Sequence, residues 1–294
     1  MTRSRIITGG SWDADDWPVY FLAGYAMRSV NNRAITRSRL FAMNELAGEP
    51  VRQVARGLIQ RGVRLFIDSG VFDLAQRTAA ERNCTFAEAS ALPASQVPGF
   101  DALRDLYITV LQEFGDVCWG YIELDQGAPD EREARRAELR ALGLSPIPVY
   151  RPLTDPLDEF VSLLTRYDRV AVGGIVAIPA RPKRRLLMSL AEVVRDYPDT
   201  WVHLLGYIPL PPIAHLPFRS CDAAWWKHLA MFAALQPRAA LAPIGRLATA
   251  ALPARGRDSE ESGSHAFADL AAALSESSAE RNWATLLRTP VHAP

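Results

Sequence analysis

Six β-rich runs in this chain end abruptly in residues able to do chemistry. Ile67 leads into Asp68-Ser69-Gly70, Leu124 into Asp125-Gln126-Gly127 and Val149 into Tyr150-Arg151-Pro152. Val172 leads into Gly173-Gly174, Leu205 into Gly206-Tyr207 and Cys221 into Asp222. Two carboxylates facing one substrate suit cleavage of a glycosidic bond: one attacks the anomeric carbon while the other moves the proton of the departing group. A third carboxylate can accept two N–H groups from a guanine-like edge. Glycine turns leave backbone N–H groups free to reach a ring oxygen. The competing reading is ordinary, since an Asp after a strand is commonly a turn former or a helix N-cap. Three such carboxylates on one side of a fold are harder to set aside.

The elements that would position these residues alternate. Short β-rich runs lie at 17–24, 63–67, 117–124, 146–150, 169–172, 201–205 and 219–221. Most are continuously apolar, as expected of parallel strands buried on both faces. Helical stripes separate them: Val51, Val54, Leu58 and Ile59 closed by Gly62, and Leu103, Leu106, Val110, Leu111 and Phe114 closed by Gly115. Another is Leu186, Leu187, Leu190, Val193 and Val194, stopped by Pro198; Asp155-Pro156 reads as the N-cap and first turn of a further helix. The expected fold is α/β, a (β/α)8 TIM-type barrel over residues 1–250, with active-site residues at the strand C-termini. Seven strands are counted, and the eighth is expected in Ser4–Thr8 or near Leu241. The polar stretch from Ala254 to His265 predicts a flexible linker, and residues 279–287 a closing helix, within a tail of 251–294.

Composition narrows the function classes. Formal net charge is zero, which argues against nucleic-acid binding by bulk electrostatics. The arginines are nevertheless clustered, between Arg28 and Arg64 and again at Arg181-Pro-Lys-Arg-Arg185, and such patches suit local phosphate contacts. Cys84, Cys118 and Cys221 form no C-x-x-C pair, so neither a zinc site nor a disulfide framework is indicated. No glycine-rich nucleotide cradle follows any strand. With no apolar run long enough to span a bilayer and no apolar leader, a cytoplasmic protein without membrane contact is expected.

Five ordered motifs between Leu65 and Trp226 resemble the tRNA-guanine transglycosylases and their DNA-acting relatives. Leu65-Phe-Ile-Asp-Ser-Gly-Val-Phe72 is similar to the family's D-S-G-G-F segment, and Glu123-Leu-Asp125 to its base-recognising Asp segment. Val170-Ala-Val-Gly-Gly-Ile-Val176 resembles its G-G-L-A-V-G turn, Val202-His-Leu-Leu-Gly206 its glycine-ended strand, and Ser220-Cys-Asp-Ala-Ala-Trp225 its nucleophile segment. The resemblance implies that Asp222 is the nucleophile and Asp68 the general acid/base. It implies base binding by Asp125, with the Gly173 and Gly174 amides near the carbonyl, Ser69 and Phe72 positioning or stacking on the base, and Gly70, Tyr150 and Gly206 as further substrate-binding residues. No cofactor or metal is implied, because one glycosidic bond replaces another.

The departures point within that group. No cysteine/histidine zinc motif follows Asp222, and Tyr150-Arg151-Pro152 stands where the family carries Q-G-G. The chain therefore looks most like the zinc-free DNA enzymes, which exchange guanine in DNA for a 7-deazaguanine such as 7-cyano-7-deazaguanine. DNA, or tRNA, would be the partner, with the base extruded from its stack, the Arg28–Arg64 segment on the backbone and accessory proteins allowed for. The alternatives are a tRNA or nucleoside base-exchange enzyme, a non-catalytic nucleic-acid-binding partner subunit, and an unrelated barrel hydrolase. His203 reads as a hydrogen-bonded core histidine, and Trp225 and Trp226 as packing residues. Asp73 and Glu123 read equally as supporting carboxylates or as capping residues.

Overall fold

The computed structural model describes residues 5–11, 19–23, 38–207 and 216–223. Among them run eight strands: β1 (Val19–Ala23), β2 (Ser38–Ala42), β3 (Arg64–Asp68), β4 (Gly120–Tyr121), β5 (Val149–Tyr150), β6 (Arg169–Val172), β7 (Trp201–Leu204) and β8 (Ser220–Ala223). They form one sheet in the order β4-β3-β2-β1-β8-β7-β6-β5, with every neighbouring pair parallel. A further parallel bridge joins Ile122 to Ile147, just beyond β4 and just before β5. The fold is α/β with a parallel sheet.

The eighth strand is β2, and this corrects the expectation that placed it at Ser4–Thr8 or near Leu241. Ser38-Arg39-Leu40-Phe41-Ala42 escapes an apolar-run criterion because it opens on a serine and an arginine, yet Ser38 and Arg39 are buried. Ile6 makes only a lone parallel bridge to Tyr167, and Leu241 lies outside the described residues. So do the expected linker and closing helix of 251–294, His215, Trp225, Trp226 and three arginines of the basic segment, Arg28, Arg33 and Arg37.

Among the described residues seven helices connect the strands: α1 (Glu49–Gln60), α2 (Val71–Arg82), α3 (Phe86–Ala91), α4 (Phe100–Phe114), α5 (Pro129–Ala141), α6 (Leu157–Arg166) and α7 (Ala180–Arg195). Each long helix buries one stripe, as with Tyr107, Val110, Leu111 and Phe114 of α4 and Leu187, Leu190, Ala191 and Val194 of α7. None of the described helices is long and apolar enough to cross a membrane. One cap differs from expectation. Pro156 is the N-cap of α6, while the Asp155 carboxylate binds Arg132 at 2.7 Å and the Arg151 amide at 2.8 Å. Two buried guanidinium groups draw it more strongly than exposed helix amides do.

Strand alternation sorts the side chains into two layers. Ile67, Val170, Val202, Leu204 and Cys221 pack on the helices. Phe21, Phe66, Trp119, Val149, Ala171 and Trp201 form a cluster drawn from strands and their adjoining loops, with no helix residue in it. Arg169 belongs to this inner layer, at the N-terminal end of the sheet. It donates to Thr8 Oγ1 at 2.6 Å, Trp119 O at 2.9 Å and Thr8 O at 3.2 Å, and so ties the 8–9 segment across that end.

Candidate active site

Asp68 and Asp222 are the last inner-face residues of their strands. Asp68 follows Phe66 by two on β3, and Asp222 follows Ser220 by two on β8, so both project on the inner side at the C-terminal edge. Register aligns Asp68 with Ala42, and Asp222 with Phe21. Asp125 lies in the loop after β4. Its Oδ1 accepts from Ser69 Oγ at 3.3 Å, which links the loops after β3 and β4. Ser69 is buried and its Oγ also accepts from Val71 N, so it braces the turn into α2. Gly70 supplies the left-handed conformation that turn requires (φ 77°), and its N–H points to Asp68 Oδ2 at 3.4 Å.

The electrostatics of the site act on Asp68 and Asp125. Burial, reinforced by the negative charges of Asp125 and Asp222, pushes Asp68 up from 3.8 to about 7. Asp125 is also raised, chiefly by burial, with Arg151 opposing the shift. Asp222 sits in a donor-rich setting. Its Oδ1 accepts from Gly206 N at 3.0 Å and contacts His203 Nε2 at 3.1 Å. Asp68 thus keeps its proton until near neutrality, with Asp222 among the charges that raise it, an arrangement suited to proton donation and withdrawal on a substrate.

The other expected site residues fall in different places. Gly173 is on the inner face, where a Cβ would come within 2.7 Å of Val149 Cγ1, and its N–H bonds Tyr150 O in the ladder at 2.8 Å. Gly174 (φ 71°) starts the single 3-10 turn Ile175–Ala177. Phe72 is partly exposed on α2 and packs on Phe86 with ring centroids 5.1 Å apart. Tyr150 is a correction: its ring stacks on Phe160 of α6 at 4.6 Å, in the helix layer, so its side chain points away from the carboxylates. The inner-face residue of that segment is Arg151, which sequence reasoning passed over. Arg151 donates to Asp125 O at 2.8 Å, Ser90 O at 2.7 Å and Gly127 O, and Asp155 holds it from behind. Counting in twos from Val149 would have found it.

His203 is buried, as expected of a core histidine, but its ring nitrogens contact Asp222 and Ser220. Glu123 is a buried structural carboxylate that binds Val149 N at 2.6 Å and Arg136 at 2.5 Å. Asp73 accepts from Asn44 Nδ2 at the surface. In the arginine-rich segment, Arg39 is buried and Arg52 and Arg56 are paired with Glu49 and Glu113.

Parallel α/β architecture is what the geometry defines. The solved structures to which the chain is similar include two distant likenesses. One is described as "Native KDPGal structure", with a TM-score of 0.41 and 11% identity over 90% of this chain and 96% of that one. The other is the YdjI aldolase from Escherichia coli K12, with a TM-score of 0.39 and 10% identity over 95% of this chain and 94% of that one. No family model matches the chain. No curated protein matches it.

The transglycosylase resemblance is corrected here: no family model and no curated protein matches the chain, so no sequence family supports the motifs. The base-exchange function on DNA falls with it. The physical reason lies in the motifs themselves. Asp-Ser-Gly after β3 and Gly-Gly after β6 are turns that lead parallel strands into helical segments, and such turns select the same small residues whatever the chemistry. At these scores the two solved structures transfer neither a reaction nor a residue role to this chain.

Proposed function

We propose that the chain is an enzyme whose sheet closes into a (β/α)8 barrel. Asp68 serves as its general acid/base and Asp222 as the opposing carboxylate. Closure is supported by distances a flat sheet forbids. Phe66 on β3 and His203 on β7 are four strands apart, about 19 Å at the usual spacing, yet their rings lie 4.7 Å apart. The Ile122–Ile147 bridge joins the two outer strands. Strand C-termini at one rim are where barrel enzymes carry their chemistry.

The observation that carries the reading is an Asp68 carboxyl held near 7 by burial and two neighbouring carboxylates. The same charges set the substrate class. Carboxyl groups gathered at one rim disfavour phosphate and carboxylate groups and accept hydrogen bonds, so the substrate we propose is a small neutral or cationic molecule rich in O–H or N–H donors.

Thermal-shift screening of neutral polyols, amines and phosphorylated sugars tests this. Neutral or cationic compounds are expected to stabilise the protein, and Asp222→Asn to weaken that effect. For a turned-over compound, Asp68→Asn should lower kcat by about 10²–10⁴-fold. Stabilisation by phosphorylated compounds alone refutes the reading.

A further inference from the structure

Behind Asp222 lies a chain of buried polar groups that the proposed proton transfer does not itself use. Trp201 Nε1 donates to Ser220 Oγ at 2.7 Å, Ser220 Oγ lies 2.7 Å from His203 Nδ1, and His203 Nε2 lies 3.1 Å from Asp222 Oδ1. Trp201, His203 and Ser220 are essentially inaccessible to solvent, so each polar hydrogen must find its partner within the chain.

That requirement determines where the protons sit. An indole N–H only donates, so Ser220 Oγ is its acceptor. Ser220 has one hydroxyl hydrogen, and among the described residues its remaining partner is His203 Nδ1. The hydroxyl therefore donates to Nδ1, which must be unprotonated. Nε2 then carries the ring hydrogen and donates it to Asp222 Oδ1. In the opposite tautomer the Ser220 hydrogen would have no acceptor, and a bare Nε2 would face a carboxylate oxygen. Both cost free energy in a buried site. The imidazole is also wedged edge-on against Phe66, with ring centroids 4.7 Å apart, and against Phe21 at 6.0 Å, which limits rotation.

From this we infer that His203 is a positioning residue, a neutral imidazole protonated at Nε2. With Gly206 N it occupies Oδ1 of Asp222 and leaves Oδ2 as the oxygen that meets substrate. Oδ2 makes no hydrogen bond to the described residues, whereas Oδ1 takes both donors. The inference rests on the acid/base reading for its use of Asp222, but the tautomer stands on hydrogen-bond accounting alone.

The experiment is 15N NMR of the full chain with labelled histidine at pH 7, assigning His203 as the ring whose resonances move in Asp222→Asn. The expected result is a pyrrole-type Nε2 and a pyridine-type Nδ1. In Ser220→Ala this preference should be lost or reversed, and in Ser220→Thr, which keeps the hydroxyl, it should be retained. With any substrate found by screening, Ser220→Ala should lower kcat at least tenfold with KM within threefold, and Ser220→Thr should restore most of the rate. A pyridine-type Nε2, a doubly protonated ring, or a tautomer indifferent to Ser220→Ala overturns the inference and leaves the acid/base reading intact. Full turnover by Asp222→Asn, with the tautomer as expected, sinks the acid/base reading instead.

Discussion

Replacing Asp68 by Asn should make the protein more stable, and increasingly so as pH rises. The unfolded chain ionises this carboxyl near the ordinary 3.8, whereas the folded protein keeps the proton until about 7. Below 3.8 both states are protonated and the group costs nothing. Between the two values the folded state holds the extra proton, so stability falls as pH rises; above 7 the cost is complete. Moving a carboxyl from 3.8 to 7 corresponds to roughly 4 kcal/mol. Asp68 is only partly buried, and water relaxing around it trims that figure, so a gain of about 2 kcal/mol is expected for Asp68→Asn at pH 8. At pH 5 the gain should shrink below about 1 kcal/mol. Urea denaturation of both proteins at pH 5, 6.5 and 8 measures it. A variant that is destabilised, or whose gain does not grow with pH, refutes the claim that burial and like charge hold Asp68 protonated.

Three further outcomes follow from the geometry. Asp155→Ala leaves Arg132, and with it Arg151, without its buried counter-charge and should cost about 3–5 kcal/mol in denaturant titration. Gly206 has φ 68° and an added Cβ would overlap Val176 Cγ2; Gly206→Ala should cost about 1–3 kcal/mol, partly recovered by adding Val176→Ala. Native thiol titration should modify Cys84 first. Cys118 is pushed up to about 12 and Cys221 is raised well above its ordinary value, both by burial, so these two should react only on unfolding.

Much of the scaffold is legible without coordinates. Continuous runs such as Arg169–Val172 and Trp201–Leu205 announce buried parallel strands, and stripes such as Leu187, Leu190 and Val194 announce the helix that covers them. What escapes is instructive. β2 is hidden because the cost of burying Arg39 is met by surroundings that no local pattern reports. Tyr150 is misread because alternation sends Val149 to the inner layer and Tyr150 to the helix layer, and one residue along a strand is the difference between opposite faces. Asp155 reads as a helix cap because propensity sees only its neighbours, whereas Arg132 is 23 residues away. The family resemblance fails for the same reason. Turn residues at strand ends reflect backbone geometry common to many parallel folds.

The sequence by itself determined the positions of Asp68, Asp125 and Asp222 after their strands, because strand length, alternation and turn chemistry are local properties. Tertiary structure alone decided what those carboxyls are. Sheet order sets Asp68 on β3 and Asp222 on β8 with only β2 and β1 between them. It also brings His203 and Gly206 to Asp222, and Ser69 to Asp125. Desolvation and charge–charge coupling act through space, and groups up to 154 residues apart in the chain acquire a proton affinity and a hydrogen-bond role only when the sheet assembles.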